Sequence, residues 1–329
     1  MLEHGGRLLR AVRRYGIARE HWLDLSSGIA PWPYAIPPIP LDAWARLPES
    51  EDGLEQAARA YYGAAELLPV AGSQAAIQAL PCLRPAGRVG VLWPCYAEHP
   101  HAWRRAGHSL VELDEGQVEQ MLDSLDVLVL VNPNNPTGRR IERERLLDWH
   151  GRLARRGGWL VVDEAFMDNT PAHSVVGCAT RPGLVVLRSF GKFFGLAGVR
   201  LGFVMAEQAL LLRLAELLGP WTISGPTRAL GQACFSDGAA HTLQIARCAQ
   251  ASQRLAALLA DAGLVPVGCD LFQYVRTERA AHLQDFLARR GILVRLFEQP
   301  AAVRLGLPAN AADEQRLHQA LVDYQKESA

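Results

Sequence analysis

Apolar and polar positions alternate in blocks along the first two thirds of the chain. Short, nearly continuous apolar runs lie at 67–70, 88–93, 110–113, 126–132, 159–163, 184–187 and 201–205. Such runs are typical of strands that are buried on both faces of a sheet. Between them, apolar residues recur with helical spacing at 73–82, 97–105, 117–125 and 141–156. This alternation of strands and helices predicts a doubly wound α/β domain with a mostly parallel sheet.

The last third of the chain has a different pattern. Helical periodicity extends from residue 207 to about 259, and strand candidates follow at 272–275, 292–295 and 302–305 before a closing helix. We therefore predict three parts: an N-terminal arm over 1–45 that contributes to the small domain, a large domain over 46–225, and a smaller α+β domain over 226–329. The proline-rich segment 31–40 predicts a stiff, extended connection.

Composition narrows the class of protein. The 329 residues are 49% apolar, and 34 basic residues balance 34 acidic ones, so no net charge favours nucleic acid or an anionic membrane. No apolar run approaches the roughly 20 residues of a membrane helix, and no secretory signal is evident at the start. We therefore expect a cytoplasmic protein. Six cysteines and ten histidines lack metal-ligand spacing, so no metal site is predicted.

A lysine follows one of the predicted strands. Lys192 comes three residues after Ser189 and eight before Arg200. A primary amine at the end of a strand can condense with an aldehyde, while a hydroxyl and a guanidinium nearby bind a phosphate. Pyridoxal phosphate (PLP) carries both groups, so this spacing predicts a covalent PLP site. A surface lysine on a loop is the alternative for this segment taken alone.

Two neighbouring strands also end in polar residues. Asp163 ends one strand, and Asn132-Pro-Asn-Asn-Pro-Thr-Gly138 follows another. Ligands bind at the carboxyl ends of strands in open α/β sheets, so these residues are expected to converge with Lys192. We predict that the Asp163 carboxylate keeps the pyridine nitrogen protonated and that Asn135 donates to the phenolic oxygen. The alternatives are a helix cap for Asp163 and a plain turn for Asn135.

A third connection joins a strand to a helix at Ala71-Gly-Ser-Gln74. Free amides at a helix start favour an anion, and glycine allows close approach, so we predict that Gly72 and Ser73 bind the cofactor phosphate. An ordinary N-cap is the alternative for Ser73. Tyr96, after another strand, is predicted to place its ring on the pyridine face, with a place in the core as the alternative.

These segments, in this order, resemble the fold type I PLP enzymes of the histidinol-phosphate aminotransferase branch. The resemblance spans nearly the whole chain and implies a homodimer. Within the branch the sequence is most similar to the threonine-phosphate decarboxylases of cobalamin biosynthesis. The similarity rests on His4-Gly-Gly6, Arg13-Arg-Tyr-Gly16, the segment 24–31 and Phe166. It implies PLP-dependent decarboxylation of L-threonine O-3-phosphate, a small phosphorylated amino acid, to (R)-1-aminopropan-2-ol phosphate. The alternative is a histidinol-phosphate-type aminotransferase.

The resemblance also assigns roles to individual residues. It places Lys192 at the covalent link, Asp163 at the pyridine nitrogen and Asn135 at the phenolic oxygen. The residues that it places at the cofactor phosphate are Ser73, Gln74, Ser189 and Arg200. It places Arg304 at the substrate carboxylate, and Arg295 and His4 at the substrate phosphate.

Four positions depart from the pattern of the aminotransferases. Ala30 replaces an asparagine, Leu47 replaces a tyrosine that reaches the neighbouring subunit's cofactor, and Gly191 replaces a serine or threonine. Phe166 has no hydroxyl with which to reach the phenolic oxygen. These departures weaken the aminotransferase interpretation more than the cofactor assignment.

Overall fold

The computed structural model describes residues 3–328. Its helices are α1 (Leu8–Tyr15), α2 (Asp42–Ala45), α3 (Leu54–Tyr62), α4 (Ser73–Ala79), α5 (Glu98–Arg105), α6 (Glu115–Met121), α7 (Arg143–Ala154), α8 (Phe190–Phe193), α9 (Gln208–Leu218), α10 (Gly225–Ser236), α11 (Gly238–Asp261), α12 (Ala280–Arg289) and α13 (Ala311–Ser328). Its strands are β1 (Leu23–Asp24), β2 (Leu68–Val70), β3 (Arg88–Leu92), β4 (Ser109–Leu113), β5 (Val127–Val131), β6 (Trp159–Asp163), β7 (Leu184–Ser189), β8 (Gly202–Met205), β9 (Pro266–Cys269), β10 (Phe272–Arg276), β11 (Ile292–Leu293), β12 (Arg295–Phe297) and β13 (Ala302–Gly306).

The chain divides into two compact units. Unit 1 comprises the described residues of 1–33, 136–139 and 243–329, and unit 2 comprises 34–135 and 140–242. These bounds differ from the predicted domain bounds at 45/46 and 225/226. One reason is that α10 packs on α3 within unit 2, where Arg228 lies 2.7 Å from Asp52 and 2.6 Å from Glu55. The division into domains stays a prediction.

Unit 2 contains a seven-stranded sheet in the order β2-β8-β7-β6-β5-β3-β4. Five strands, β3 to β7, run parallel to one another. Strand β8 is antiparallel to both β7 and β2. Every residue of β5 and β6 is buried, as their continuous apolar runs predict. The predicted mostly parallel sheet is therefore confirmed.

Unit 1 contains smaller sheets. Strands β12, β13, β10 and β9 form an antiparallel sheet in that order, and β1 pairs with β11 in parallel. The single strand predicted at 292–295 is wrong, because β11 and β12 are separated at Val294 and join different sheets. Sequence analysis also missed β9, whose Pro266 and Gly268 are poor strand residues tolerated at an edge.

The helical region after residue 207 is divided as well. Helices α9, α10 and α11 replace one continuous pattern, with a break at 219–224. Within 3–328, no helix is both long and apolar enough to span a bilayer. The same residues contain no group of three or more metal-ligating side chains that could hold a metal ion.

Candidate active site

The carboxyl ends of three neighbouring strands lie level with one another in unit 2. Val131 of β5 pairs with Asp163 of β6, and Asp163 pairs with Leu187 of β7. The next residue after β5, Asn132, donates its amide to the Asp163 carbonyl at 2.8 Å. This register brings the polar residues that follow each strand to one edge of the sheet.

The start of α4 meets the same edge. Ser189 ends β7 and pairs with Gly202 of β8, and a Cβ on Gly202 would lie 2.4 Å from the Ser73 amide nitrogen. A side chain at position 202 would therefore displace the helix start. Gly202 therefore lies between Ser189 and the start of α4 at Ser73, and the predicted contact of both serines with the cofactor phosphate stays a prediction.

Gly72 and Arg200 form a cradle beside that helix start. Gly72 has a φ of +72°, and a Cβ there would lie 2.5 Å from an Arg200 guanidinium nitrogen. Arg200 itself has a φ of +58°, a left-handed conformation that costs a non-glycine residue on the order of 1 kcal/mol. Its guanidinium also donates to the Ala197 carbonyl at 3.1 Å. An exposed guanidinium against the backbone of a helix start suits a phosphate group.

Asp163 is held on both carboxylate oxygens. Its Oδ1 accepts from the Ala165 amide at 3.0 Å, and its Oδ2 lies 2.9 Å from His99 Nε2. Both side chains are buried, with 3% of Asp163 and 1% of His99 exposed. The contact with Ala165 lies within one turn of chain and is of the kind that a capping aspartate makes. The contact with His99 fixes the direction of the carboxylate.

Sequence analysis missed His99. The residue lies in the first turn of α5, and Pro100 follows it there, where a missing amide hydrogen does not break the helix. The proline therefore permits the helix that directs His99 toward β6. A histidine in the first turn after a buried strand was the available signal.

Gln74 and Tyr96 adjoin this pair. The Tyr96 hydroxyl donates to Gln74 Oε1 at 3.1 Å, and Gln74 Nε2 donates to Glu98 Oε2 at 2.9 Å. The Tyr96 ring is half-buried and lies edge-on to His99, with ring centroids 6.2 Å apart. The Gln74 side chain is thus directed to Tyr96 and Glu98, and its predicted contact with phosphate stays a prediction.

The Asn132 and Asn134 side chains hold the asparagine-rich turn after β5. Asn132 accepts from the Ile141 amide at 2.8 Å and donates to the Ile141 carbonyl at 3.1 Å. Asn134 donates to the Pro94 carbonyl at 2.9 Å. Asn135 follows them and is half-buried. The predicted contact of Asn135 with the cofactor stays a prediction.

Lys192 lies in the short helix α8, directly after β7. It is half-buried, and its Nζ is 5.8 Å from the centroid of the buried Phe166 ring. A Cβ on Gly191 would lie 2.6 Å from the Ala197 Cα, so a larger residue does not fit at position 191 without rearrangement. Close packing therefore explains why glycine precedes this lysine.

A buried ion network, which sequence analysis also missed, ties β6 to β7. Arg188 lies 2.9 Å from Glu164 and 3.3 Å from Asp168, and these side chains are at most 3% exposed. Tyr61 donates to Asp168 at 3.0 Å, and the Tyr62 ring centroid is 4.6 Å from the guanidinium. Burial alone lowers the pKa of Arg188, but the carboxylates of Asp168 and Glu164 raise it above its ordinary value. The network adjoins Asp163 on one strand and Ser189 on the other.

The predicted substrate residues lie in unit 1. Arg304 of β13 stands directly opposite Arg295 of β12 in the antiparallel register. Arg304 is 6% exposed and donates to the Ser26 carbonyl at 3.1 Å. Like charges directly opposite each other destabilise a sheet, so this pair favours an anionic ligand. His4 and Arg295 line a cavity of about 140 Å³.

Comparison with known proteins agrees with this geometry. The sequence profile described as aminotransferase class I and II matches residues 44–321. The chain is 62% identical to a threonine-phosphate decarboxylase of Pseudomonas aeruginosa over 99% of both chains. It is 42% identical to a threonine-phosphate decarboxylase of Sinorhizobium over 97% of both chains. A solved structure of the histidinol-phosphate aminotransferase from Sinorhizobium meliloti, in complex with pyridoxal-5'-phosphate, superposes with a TM-score of 0.85 at 20% identity, covering 100% of this chain and 96% of that one. The chain therefore belongs to the aminotransferase class I and II family.

Proposed function

We propose that this protein decarboxylates L-threonine O-3-phosphate to (R)-1-aminopropan-2-ol phosphate in cobalamin biosynthesis, with PLP as its cofactor. Two threonine-phosphate decarboxylases match it over nearly their whole length, at 62% and 42% identity. The single structural observation that carries the proposal is the cross-strand pair of Arg295 and Arg304. Two adjacent cations suit a substrate with two anionic groups, a carboxylate and a phosphate.

The residues of unit 2 fit the cofactor. The Lys192 amine would hold its aldehyde, Asn135 its phenolic oxygen, and Gly72, Ser73, Ser189 and Arg200 its phosphate. Gln74 is proposed to assist at that phosphate, and Tyr96 to cover the pyridine ring. When bound, PLP supplies an electron sink for the electron pair released at the substrate Cα. The cradle at Gly72, which a Cβ would fill, is the observation that supports this fit.

Asp163 would hold the proton on the pyridine nitrogen. Its carboxylate is buried and aimed by His99 at 2.9 Å, so it offers a fixed acceptor that needs no rearrangement. His99 acts through Asp163 and is therefore a positioning residue. A protonated ring nitrogen is what makes the cofactor an effective electron acceptor.

Arg304 would select the bond that breaks. A guanidinium binds a carboxylate through two parallel hydrogen bonds, which would fix the position of that carboxylate and with it the rotation about the bond between Cα and the substrate nitrogen. Decarboxylation requires the Cα–carboxylate bond to stand perpendicular to the cofactor ring, whereas transamination requires the Cα–H bond there. Arg295 and His4 would bind the substrate phosphate.

Replacing Asp163 with Asn should lower kcat by about 10²- to 10³-fold, because a neutral amide no longer favours the proton on the ring nitrogen. Steady-state rates of the PLP-loaded variant measure this loss. Asp126→Asn is the matched control, since that carboxylate lies before β5 and accepts from the Arg88 amide at 2.7 Å. An equal loss in the two variants would assign the effect to general destabilisation instead.

The reaction itself can be tested with purified protein, PLP and threonine phosphate. We expect release of carbon dioxide without any keto-acid co-substrate, together with formation of 1-aminopropan-2-ol phosphate. Turnover that depends on 2-oxoglutarate, or amino transfer from histidinol phosphate at a higher kcat/KM, would instead identify an aminotransferase.

We also propose a homodimer, as the resemblance implies, and a cytoplasmic location. The side chains of Leu41, Trp44 and Leu47 support an interface, because they are large, apolar and 79%, 66% and 64% exposed around α2. Analytical ultracentrifugation tests the dimer, and a monomer at micromolar concentration would contradict it.

A further inference from the structure

A cavity of about 140 Å³ lies in unit 1 between the N-terminal segment and β12. Its charged lining carries four arginines and a single carboxylate. These residues, with the neighbouring histidine, are Glu3, His4, Arg7, Arg10, Arg14 and Arg295. Among residues 3–328, Glu3 is the only acidic residue that lines the cavity. Asp285 lies 4.0 Å from Arg14 but is not part of the lining. The cavity therefore carries excess positive charge and is large enough for a phosphate group.

Glu3 bridges two of these arginines. Its Oε1 lies 2.7 Å from Arg10, and its Oε2 lies 3.5 Å from Arg295. Arg295 also donates to the Glu3 main-chain oxygen at 2.6 Å. The hydrogen bond from Arg10 is the main cause that lowers the pKa of Glu3 below its ordinary value. Glu3 is thus a carboxylate anion at neutral pH, in contact with the cations that would meet an incoming phosphate.

Glu3 and Arg295 differ in how far they are exposed to solvent. The Glu3 side chain is 58% exposed, whereas that of Arg295 is only 16% exposed and lies 5.1 Å from the centroid of the Phe297 ring. Ion pairs with an exposed partner contribute little, so moving Glu3 away costs little. A phosphate monoester offers up to two negative charges and three acceptor oxygens, and it can replace the carboxylate with a gain in charge-assisted hydrogen bonds.

We propose that Glu3 is an internal counter-ion of the substrate-phosphate pocket, occupying Arg10 and Arg295 until a phosphate monoester displaces it. This inference rests on the proposed function for the identity of the substrate. Glu3 thereby lowers the affinity for phosphate. It also disfavours singly charged anions, because their weaker interaction with the arginines does not offset the loss of the Glu3 ion pairs. Sequence analysis assigned His4 and Arg295 to this phosphate but gave Glu3 no role.

The test uses the PLP-loaded protein, so that the cofactor's own phosphate site is filled, and inorganic phosphate as the probe. Calorimetric titration of Glu3→Gln should give a Kd about fivefold lower than that of the unmodified protein at low salt. The difference should shrink in about 0.5 M KCl, because salt screens exposed charges. Arg295→Met should raise the Kd about tenfold or more.

Glu20→Gln is the matched control, because it removes one exposed acidic charge from the same N-terminal region without lining the cavity. It should leave the Kd unchanged. An unchanged or higher Kd for Glu3→Gln, an equal decrease for Glu20→Gln, or no effect of Arg295→Met would each overturn the inference.

The same variants separate this inference from the proposed function. If threonine phosphate releases carbon dioxide, Glu3→Gln should lower its KM about fivefold with kcat unchanged. Failure of decarboxylation, with the phosphate affinities still responding as expected, would reject the proposed function and retain the counter-ion. If the Glu3→Gln variant decarboxylates threonine phosphate but its affinity for phosphate is unaltered, the proposed function is retained and the counter-ion role of Glu3 is rejected.

Discussion

Lys192→Ala should lower kcat by at least about 10⁴-fold and shift the near-visible absorbance band of the PLP-loaded protein from that of the lysine linkage to that of the free aldehyde. The lysine amine is the group proposed to hold the cofactor aldehyde. Lys192 is half-buried and follows β7, at the edge of the sheet where Asp163 ends β6 and Ser189 ends β7. Free cofactor would still bind through its phosphate, so the loss concerns the covalent link and proton transfer. Absorbance spectra and single-turnover rates measure the two effects separately.

The chain offers a simple control for this variant. The sequence contains only two lysines, Lys192 and Lys326, and the second is exposed near the end of α13. Lys326→Ala should retain full activity and absorbance. Lys192→Arg keeps the positive charge but has no amine suited to the link, so it should resemble Lys192→Ala. Substantial activity in either Lys192 variant would contradict the assignment.

Arg188→Met should lower the free energy of unfolding by about 3–5 kcal/mol. The side chain is 3% exposed between Glu164 and Asp168, so its removal leaves two buried carboxylates without their cation. Urea denaturation, followed by fluorescence, measures the change. We also expect weaker PLP retention, since the network holds the ends of β6 and β7 that carry Asp163 and Ser189.

Two further variants identify the cause of that loss. Arg46→Met removes an exposed ion pair with Glu49, in which both side chains are at least 70% exposed, and it should cost less than about 1 kcal/mol. Adding Glu164→Gln and Asp168→Asn to Arg188→Met should restore part of the stability, because the buried charges are then gone. A loss for Arg188→Met no greater than that for Arg46→Met would show that the network is not a stabilising element.

The sheet of unit 2 could be predicted because each strand has its own local signal. The runs at β5 and β6 are continuously apolar, since both faces of the sheet are covered, and helical periodicity marks what lies between. Asp163 and Lys192 could then be predicted as site residues, because they lie at the ends of predicted strands and ligands bind at the carboxyl edge of such sheets. These features depend on short segments of chain.

Features that depend on pairing between distant segments could not be predicted in this way. The split at Val294 is set by two different partners: β11 pairs with β1, which is far away in sequence, whereas β12 pairs with β13, which follows it directly. The contact of His99 with Asp163 joins residues 64 positions apart, and the Glu3 contacts with Arg295 join opposite ends of the chain. The opposition of Arg295 and Arg304 is close in sequence, but it follows from the register of β12 and β13, which neither strand specifies alone.

The most direct test of the account is to locate the covalent link between the cofactor and the chain. The purified protein is incubated with PLP, treated with borohydride to convert the lysine–aldehyde linkage into a stable amine, digested, and mapped by mass spectrometry. We expect a phosphopyridoxyl group on the peptide that contains Lys192, and its loss when threonine phosphate is added before reduction. Modification confined to Lys326, or none at either lysine, would contradict it.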